Sequence, residues 1–178
     1  CKCMNAERKN EFDYQKEYAS TKDNNYQPVF DNESNDEFTN KFNEKINIIG
    51  NYISINEFEK EIGDNILKFI NDKEFKIPEY IPNNFSSYKI NPIEFKNGNI
   101  FYGHWNDNFE MEGYGKYLLK ADNVFVEGIW EQGQLKYARV LLPDGGIYIG
   151  DILNSSFNGK GKLISPGGEI YEGEFVKG

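Results

Sequence analysis

The period of the apolar positions changes along this chain, and with it the structure expected. From Ser54 to about Asn71, Ile55, Phe58, Ile62, Ile66, Phe69 and Ile70 recur every three or four residues, which predicts one stripe of an α-helix. Ser54 and Glu57 supply a Ser-x-x-Glu capping box at its start. Gly63 interrupts the pattern at a cost of about 1 kcal/mol relative to Ala, so the stripe has to be buried for the helix to hold. Residues 1–50 keep neither period for long. Their rings, among them Phe12, Tyr26, Phe38 and Phe42, are isolated in Asn-, Asp-, Glu- and Lys-rich sequence. This segment is expected to be an extended or partly disordered arm, either plain or with its rings as anchors on a partner. An amphipathic helical region is expected over residues 51–76. Pro78 and Pro82 then stop any helix, and 77–97 reads as a linker and lead-in strand.

After Gly98 the pattern alternates, and glycine, scarce before, becomes dense. Gly103, Gly128, Gly150 and Gly173 are spaced by about 25, 22 and 23 residues, the range of repeat architectures. Each sits in a similar segment: Phe101-Tyr102-Gly103-His104-Trp105, Val126-Glu127-Gly128-Ile129-Trp130, Tyr148-Ile149-Gly150-Asp151-Ile152 and Tyr171-Glu172-Gly173-Glu174-Phe175. On a strand, the first ring, the glycine and the second ring share a face. A glycine there leaves a flat platform, across which a ring from the neighbouring hairpin is expected to lie. About ten residues later Gly113-x-Gly115 and Gly159-x-Gly161 open return strands. Turn chemistry follows at Lys96-Asn97-Gly98, Asp122-Asn123, Pro143-Asp144-Gly145-Gly146 and Pro166-Gly167-Gly168. Unit two departs, with Val126 for the first ring and Tyr137-Ala138-Arg139 where a Gly-x-Gly is expected. Unit three has Ile152 for the second ring. The fourth unit reaches Gly178 without a return strand; truncation of the array there is expected, the alternative being an edge completed by another chain.

These residues resemble the MORN repeat (membrane occupation and recognition nexus), whose pattern is Tyr-x-Gly-x-Trp/Phe, then Gly-x-Gly and a turn with Asp-Gly. The resemblance covers about residues 98–178, or three and a half units. It implies a mainly β fold, an elongated single-layer antiparallel sheet of stacked hairpins, preceded here by the helical or extended N-terminal arm. It also implies a groove, lined by rings and glycines, that accepts a helix or peptide from other proteins of a multi-subunit assembly. Phe101, Trp105, Trp130, Tyr148, Tyr171 and Phe175 are the expected partner-binding anchors. Gly103, Gly113, Gly115, Gly128, Gly150, Gly159, Gly161 and Gly173 are the expected structural glycines. The aromatic face needs a cover, and the Ser54 helix or another protein could supply it.

Composition narrows the function classes. Lys and Arg number 20 against 29 Asp and Glu, a net charge of -9, with the lysines interleaved among acids. Such a surface repels nucleic acid and anionic lipid. Cys1 and Cys3 are too close to staple a fold, and as two ligands they fall short of a structural zinc site. They are either ordinary thiols of a reducing compartment or acylation sites of a membrane tether. No apolar run reaches the length of a membrane span. Asp31, Glu33 and Asn35 mimic the start of a calcium loop, but Asp36 stands where Gly is needed and Phe42 where Glu must close the cage. Asn32, Asn84 and Asn154 begin chance Asn-x-Ser matches. His104 is the one histidine, and no nucleophile or spaced carboxylate pair accompanies it. No catalytic residues, metal or cofactor are therefore expected. The expectation is a non-catalytic scaffold in the cytoplasm, in a cytoskeletal or ciliary assembly, with any membrane contact secondary. The alternatives are an acylated membrane–cytoskeleton tether or the targeting part of a larger enzyme. The Asn-, Lys- and Tyr-rich composition resembles proteins of ciliates and other AT-rich protists.

Overall fold

Alternation in the second half of the chain becomes a ladder of hairpins in the computed structural model, which describes residues 36–71 and 87–178. The elements are α1 (Asp36–Ile49), β1 (Gly50–Tyr52), α2 (Ile55–Asn71), β2 (Ser87–Lys89), β3 (Ile93–Phe95), β4 (Ile100–Asn106), β5 (Met111–Leu119), β6 (Val124–Glu131), β7 (Gln134–Leu141), β8 (Ile147–Leu153), β9 (Ser156–Ile164) and β10 (Ile170–Phe175). All pair antiparallel in one sheet of order β1-β3-β4-β5-β6-β7-β8-β9-β10, with β2 also alongside β4. The fold is mainly β: an elongated, open sheet of repeated strand pairs preceded by helices.

One turn design closes successive units. Phe95, Leu142 and Ser165 each donate a backbone N–H to the carbonyl four residues on, and accept one from Gly98, Gly145 and Gly168 respectively. Those glycines have φ of 83°, 90° and 90°, the left-handed region that glycine enters without steric cost. Between β5 and β6 Asn123 holds the corresponding place at φ 51°, as Asn tolerates. Other hairpins close through residue pairs that are both left-handed, Gln132-Gly133 and Asn154-Ser155, the geometry that matches strand twist.

The helices lie on opposite faces at the β3–β6 end. Residues 36–49, read from sequence as part of an extended arm, are helical, and Phe38, Phe42 and Ile46 point from α1 into the core beneath the aromatic face. α2 begins with the reciprocal capping pair, Ser54 N–H to Glu57 Oε2 at 2.7 Å and Glu57 N–H to Ser54 Oγ at 2.9 Å. Its buried Phe58, Ile62 and Phe69 pack on Ile100, Tyr102, Leu118 and Phe125, the face opposite the repeat rings. The Ser54 helix, one of the covers expected for the aromatic face, lies on the other face, and α1 lies on the aromatic one. The sheet is one layer of strands throughout, and at this end both of its faces carry a helix. α2 is broken at Gly63, whose φ of 67° and ψ of 173° belong to a region open essentially only to glycine. The sequence pattern treated Gly63 as a weak point in a straight helix; the chain uses it to bend.

Candidate functional site: the aromatic face and its row of small residues

Strand register lines up the repeat glycines across the sheet. Gly103 faces Gly115, Gly115 faces Gly128, Gly128 faces Ala138, Ala138 faces Gly150, Gly150 faces Gly161 and Gly161 faces Gly173. Seven small residues therefore form an unbroken row from β4 to β10.

Rings fill the space above this row, and their source differs from the expected neighbouring hairpin. Each ring folds forward along its own strand. A Cβ on Gly103 would lie 2.8 Å from Phe101 Cζ, and one on Gly115 2.6 Å from the same atom. Tyr148 lies over Gly150 and Gly161 in the same way, its Oη 2.7 and 2.6 Å from the two Cβ positions. Tyr171 covers Gly173. Phe101 and Tyr148 thus each span their own glycine and the glycine of the following strand. The tyrosines add a tether: Tyr148 Oη donates to the Asp151 carbonyl at 2.8 Å and Tyr171 Oη to the Glu174 carbonyl at 3.2 Å.

Unit two solves the same problem without a ring. Val126 is too short to reach across, Leu135 Cδ1 comes within 2.8 Å of a Gly128 Cβ position, and Ala138 stands opposite. The register places Lys136-Tyr137-Ala138, one residue earlier than the alignment by sequence, in the position of Gly113-x-Gly115. Gly113 and Gly159 flank irregularities in the ladder and both have positive φ, 77° and 65°.

Five of the six anchors are buried by this chain itself: Phe101, Trp105, Trp130, Tyr148 and Phe175. Tyr171 is 53% exposed, whereas Tyr148 in the matching position is fully covered. Edge-to-face contacts link them, with Phe101 5.4 Å from Trp105 and 5.2 Å from Trp130, and Tyr148 5.1 Å from Phe175. The α1 rings join the cluster. Phe42 meets Trp105 edge-on at 5.3 Å, and Phe38 stacks on Tyr88 at 4.0 Å and on Phe109 at 5.5 Å. Trp105 Nε1 is buried with no hydrogen-bond partner among the described residues. Sequence reasoning missed Phe38 and Phe42 as parts of this face, although their spacing to Ile46 and Ile49 is helical.

On the opposite face, charge concentrates where unit two departs from the repeat. Glu127 is buried between Lys116 on β5 and Arg139 on β7. Arg139 Nε donates to Glu127 Oε2 at 2.9 Å, its Nη2 also pairs with that carboxylate, and Tyr114 Oη donates to Oε1. Nη2 reaches the Ile70 carbonyl at 3.2 Å, and the guanidinium sits 4.5 Å from the Phe69 ring centre. Arg139, which the sequence alignment put inside the Gly-x-Gly of unit two, stands by register in the basic position after it, with Lys116 and Lys162, and clamps the end of α2. Burial holds the Lys116 ammonium below its ordinary pKa, against the pull of Glu127. Near the other strand ends, buried Glu112 accepts from Asn106 Nδ2 at 3.2 Å and from the Gln132 N–H at 2.9 Å, tying one hairpin's turn to the next.

His104 Nδ1 lies 3.0 Å from the Tyr114 carbonyl. Among the described residues no group of three or more His, Cys, Asp or Glu is placed to hold a metal ion, and no helix is long and apolar enough to cross a membrane. Cys1, Cys3, Asn32, Asn84, the calcium-loop mimic from Asp31 to Asn35 and the prolines of the linker lie outside the described residues. No family model matches the chain, and no curated protein matches it.

Proposed function

We propose that this chain is a MORN-repeat scaffold: a non-catalytic adaptor that holds partner proteins against the aromatic face of its hairpins, within a cytoskeletal or ciliary assembly. The observation that carries this reading is the seating of α1. An amphipathic helix with rings four residues apart already lies on that face, meeting Trp105, Tyr88 and Phe109 through Phe42 and Phe38. Ring faces and edges presented to an apolar helix stripe are the chemistry of helix-in-groove recognition. A partner helix of the same pattern lies further along the face, toward the half-exposed Tyr171, where a free α1 peptide competes with it. On this reading Phe101, Trp105, Trp130, Tyr148 and Phe175 shape the face from within the core, and Tyr171 makes direct contact.

The test replaces Tyr171 by a photo-crosslinking residue in the native cell and identifies the adducts by mass spectrometry. The expected result is a small set of cytoskeletal or ciliary proteins, each crosslinked at a defined helix and reduced by a peptide spanning residues 36–49. Adducts with lipid alone, or protein adducts indifferent to that peptide, would sink the proposal.

A further inference from the structure

The chain has three steps at which Asn or Asp precedes Gly: Asn97-Gly98, Asp144-Gly145 and Asn158-Gly159. Glycine puts no Cβ beside its own nitrogen, so at such a step that nitrogen can reach the terminal carbon of the preceding side chain. The fold disarms the first two. Asn97 Oδ1 accepts the N–H of Asn99 at 3.0 Å and Asp144 Oδ1 that of Gly146 at 2.8 Å, Asx turns that carry the side chain past the next residue. The Gly98 and Gly145 nitrogens are themselves spent, donating to the Phe95 and Leu142 carbonyls at 2.8 and 3.0 Å.

Asn158 is turned the other way. Its Oδ1 accepts the N–H of Gly159, the very next residue, at 2.8 Å, which sets the side-chain amide carbon one bond from that contact. The register explains why. Gly150 faces Gly161 and Ile152 faces Phe157, so Asp151 alone stands opposite Asn158, Gly159 and Lys160. Asp151 Oδ2 takes the Lys160 N–H at 3.0 Å and Gly159 adopts a φ of 65°, so the surplus residues form a bulge released from the β8 ladder. Asn158 and Gly159 are both partly exposed to water. Unit one has the same bulge, with His104 opposite Glu112, Gly113 and Tyr114, and there an acid, Glu112, already holds the place of Asn158.

We infer that Asn158 is a self-modifying site, at which the chain converts its own amide to an acid by hydrolytic deamidation. The Gly159 nitrogen gives up its proton to water and bonds to Asn158 Cγ. The bond from Cγ to the side-chain nitrogen breaks, and that nitrogen takes up a proton and leaves as ammonia. The five-membered imide left in the backbone then adds one water molecule. Opening at Cγ yields aspartate; opening at the backbone carbonyl carbon yields isoaspartate, with one methylene more in the main chain. In total, amide and water become acid and ammonia, with no change of oxidation state. Holding the nitrogen against the amide supplies the proximity that the ring closure needs. Either product places a second carboxylate opposite Asp151, and isoaspartate also shifts the neighbouring Phe157, which stacks on Tyr148 at 3.8 Å.

The intact chain is incubated in neutral buffer, folded and in denaturant, and digested at intervals under acid conditions. Mass spectrometry with fragmentation that separates aspartate from isoaspartate follows both Asn-Gly steps. In denaturant Asn97 and Asn158 should convert alike. In the folded chain Asn158 is expected to keep converting while Asn97 falls behind it by about tenfold or more, and the Tyr148 ring signals should shift as product builds up. The Asn158→Gln variant, whose longer side chain would have to close a six-membered ring, should release no ammonia from this position and hold those signals constant. Equal rates at the two steps in the folded chain, an intact Asn158 where Asn97 converts, or conversion of Asn158 only in denaturant would overturn the inference.

Discussion

Phe101 and Val126 occupy the same place in successive units, and the residue facing each repeat glycine differs to match. Where the covering side chain is a ring, its partner across the strand is Gly115; where it is Val, the partner is Ala138. A Cβ on Gly115 would press on Phe101 Cζ and Cε2, with Gly103 Cα at a comfortable 3.4 Å. The conflict is therefore with the ring alone. Gly115→Ala is expected to cost about 1–3 kcal/mol, the usual price of overpacking. Combined with Phe101→Val, which reproduces unit two, it should cost less than the sum of the two single changes, with a coupling of about 0.5–3 kcal/mol. Denaturant unfolding of the four proteins in the cycle measures it; strict additivity would mean that ring and glycine are independent. Tyr148 gives a second prediction. Burial, with Asp151 nearby, pushes its phenol up to about 12. Its folded value exceeds the ordinary 10, so the associated stability is whole below pH 10 and is lost as pH rises through about 12. Tyr148→Phe should cost about 0.5–1.5 kcal/mol at neutral pH for the lost hydrogen bond to the Asp151 carbonyl. That deficit should shrink between pH 10 and 12, as followed by unfolding at each pH. A deficit constant across that window would place the ionisation elsewhere.

At the scale of elements, the end of α2 depends on the ion pair beneath it. Arg139 bonds Glu127 and the Ile70 carbonyl, and its removal would leave a buried carboxylate without its main counter-charge. Arg139→Ala is expected to destabilise by about 3–5 kcal/mol, with hydrogen exchange of residues 64–71 speeding before that of β8 and β9. Replacing Glu127 and Arg139 together by Met and Leu should be far milder, since no lone charge remains. α2 was legible from sequence because its stripe and capping box are local signals. Its docking face was harder to see, yet Ile100-Phe101-Tyr102, Tyr117-Leu118-Leu119 and Val124-Phe125-Val126 are continuous apolar runs, which mark strands buried on both sides. α1 escaped notice because Phe38, Phe42, Ile46 and Ile49 are four apolar residues in a long polar setting. Only the sheet beneath them makes their stripe worth forming.

For the molecule as a whole, the repeat was the most legible feature, because glycine spacing and turn chemistry are written within each unit and need no distant partner. The order of strands followed from it, since short turns leave an antiparallel neighbour as the only destination. The candidate site was legible only as a list of rings. The cover over Trp105 comes from α1, a segment more than fifty residues before it whose contribution no local pattern announces. The register of unit two was misplaced by one residue for a similar reason: without glycines to mark it, only pairing to β6 decides which residue faces Gly128.

The aligned small residues have a mechanical side. A strand is stiffest where bulky side chains crowd its neighbours and most pliable where only Cα atoms meet. In this sheet the pliable points coincide on every strand from β4 to β10, at one height, so they add into a single crease running the length of the array. The rings wedged along it set how far the two halves of the sheet can close upon each other. A ribbon of this kind resists extension through its ladder of hydrogen bonds yet can flex about its own long axis, opening and closing like a hinged gutter.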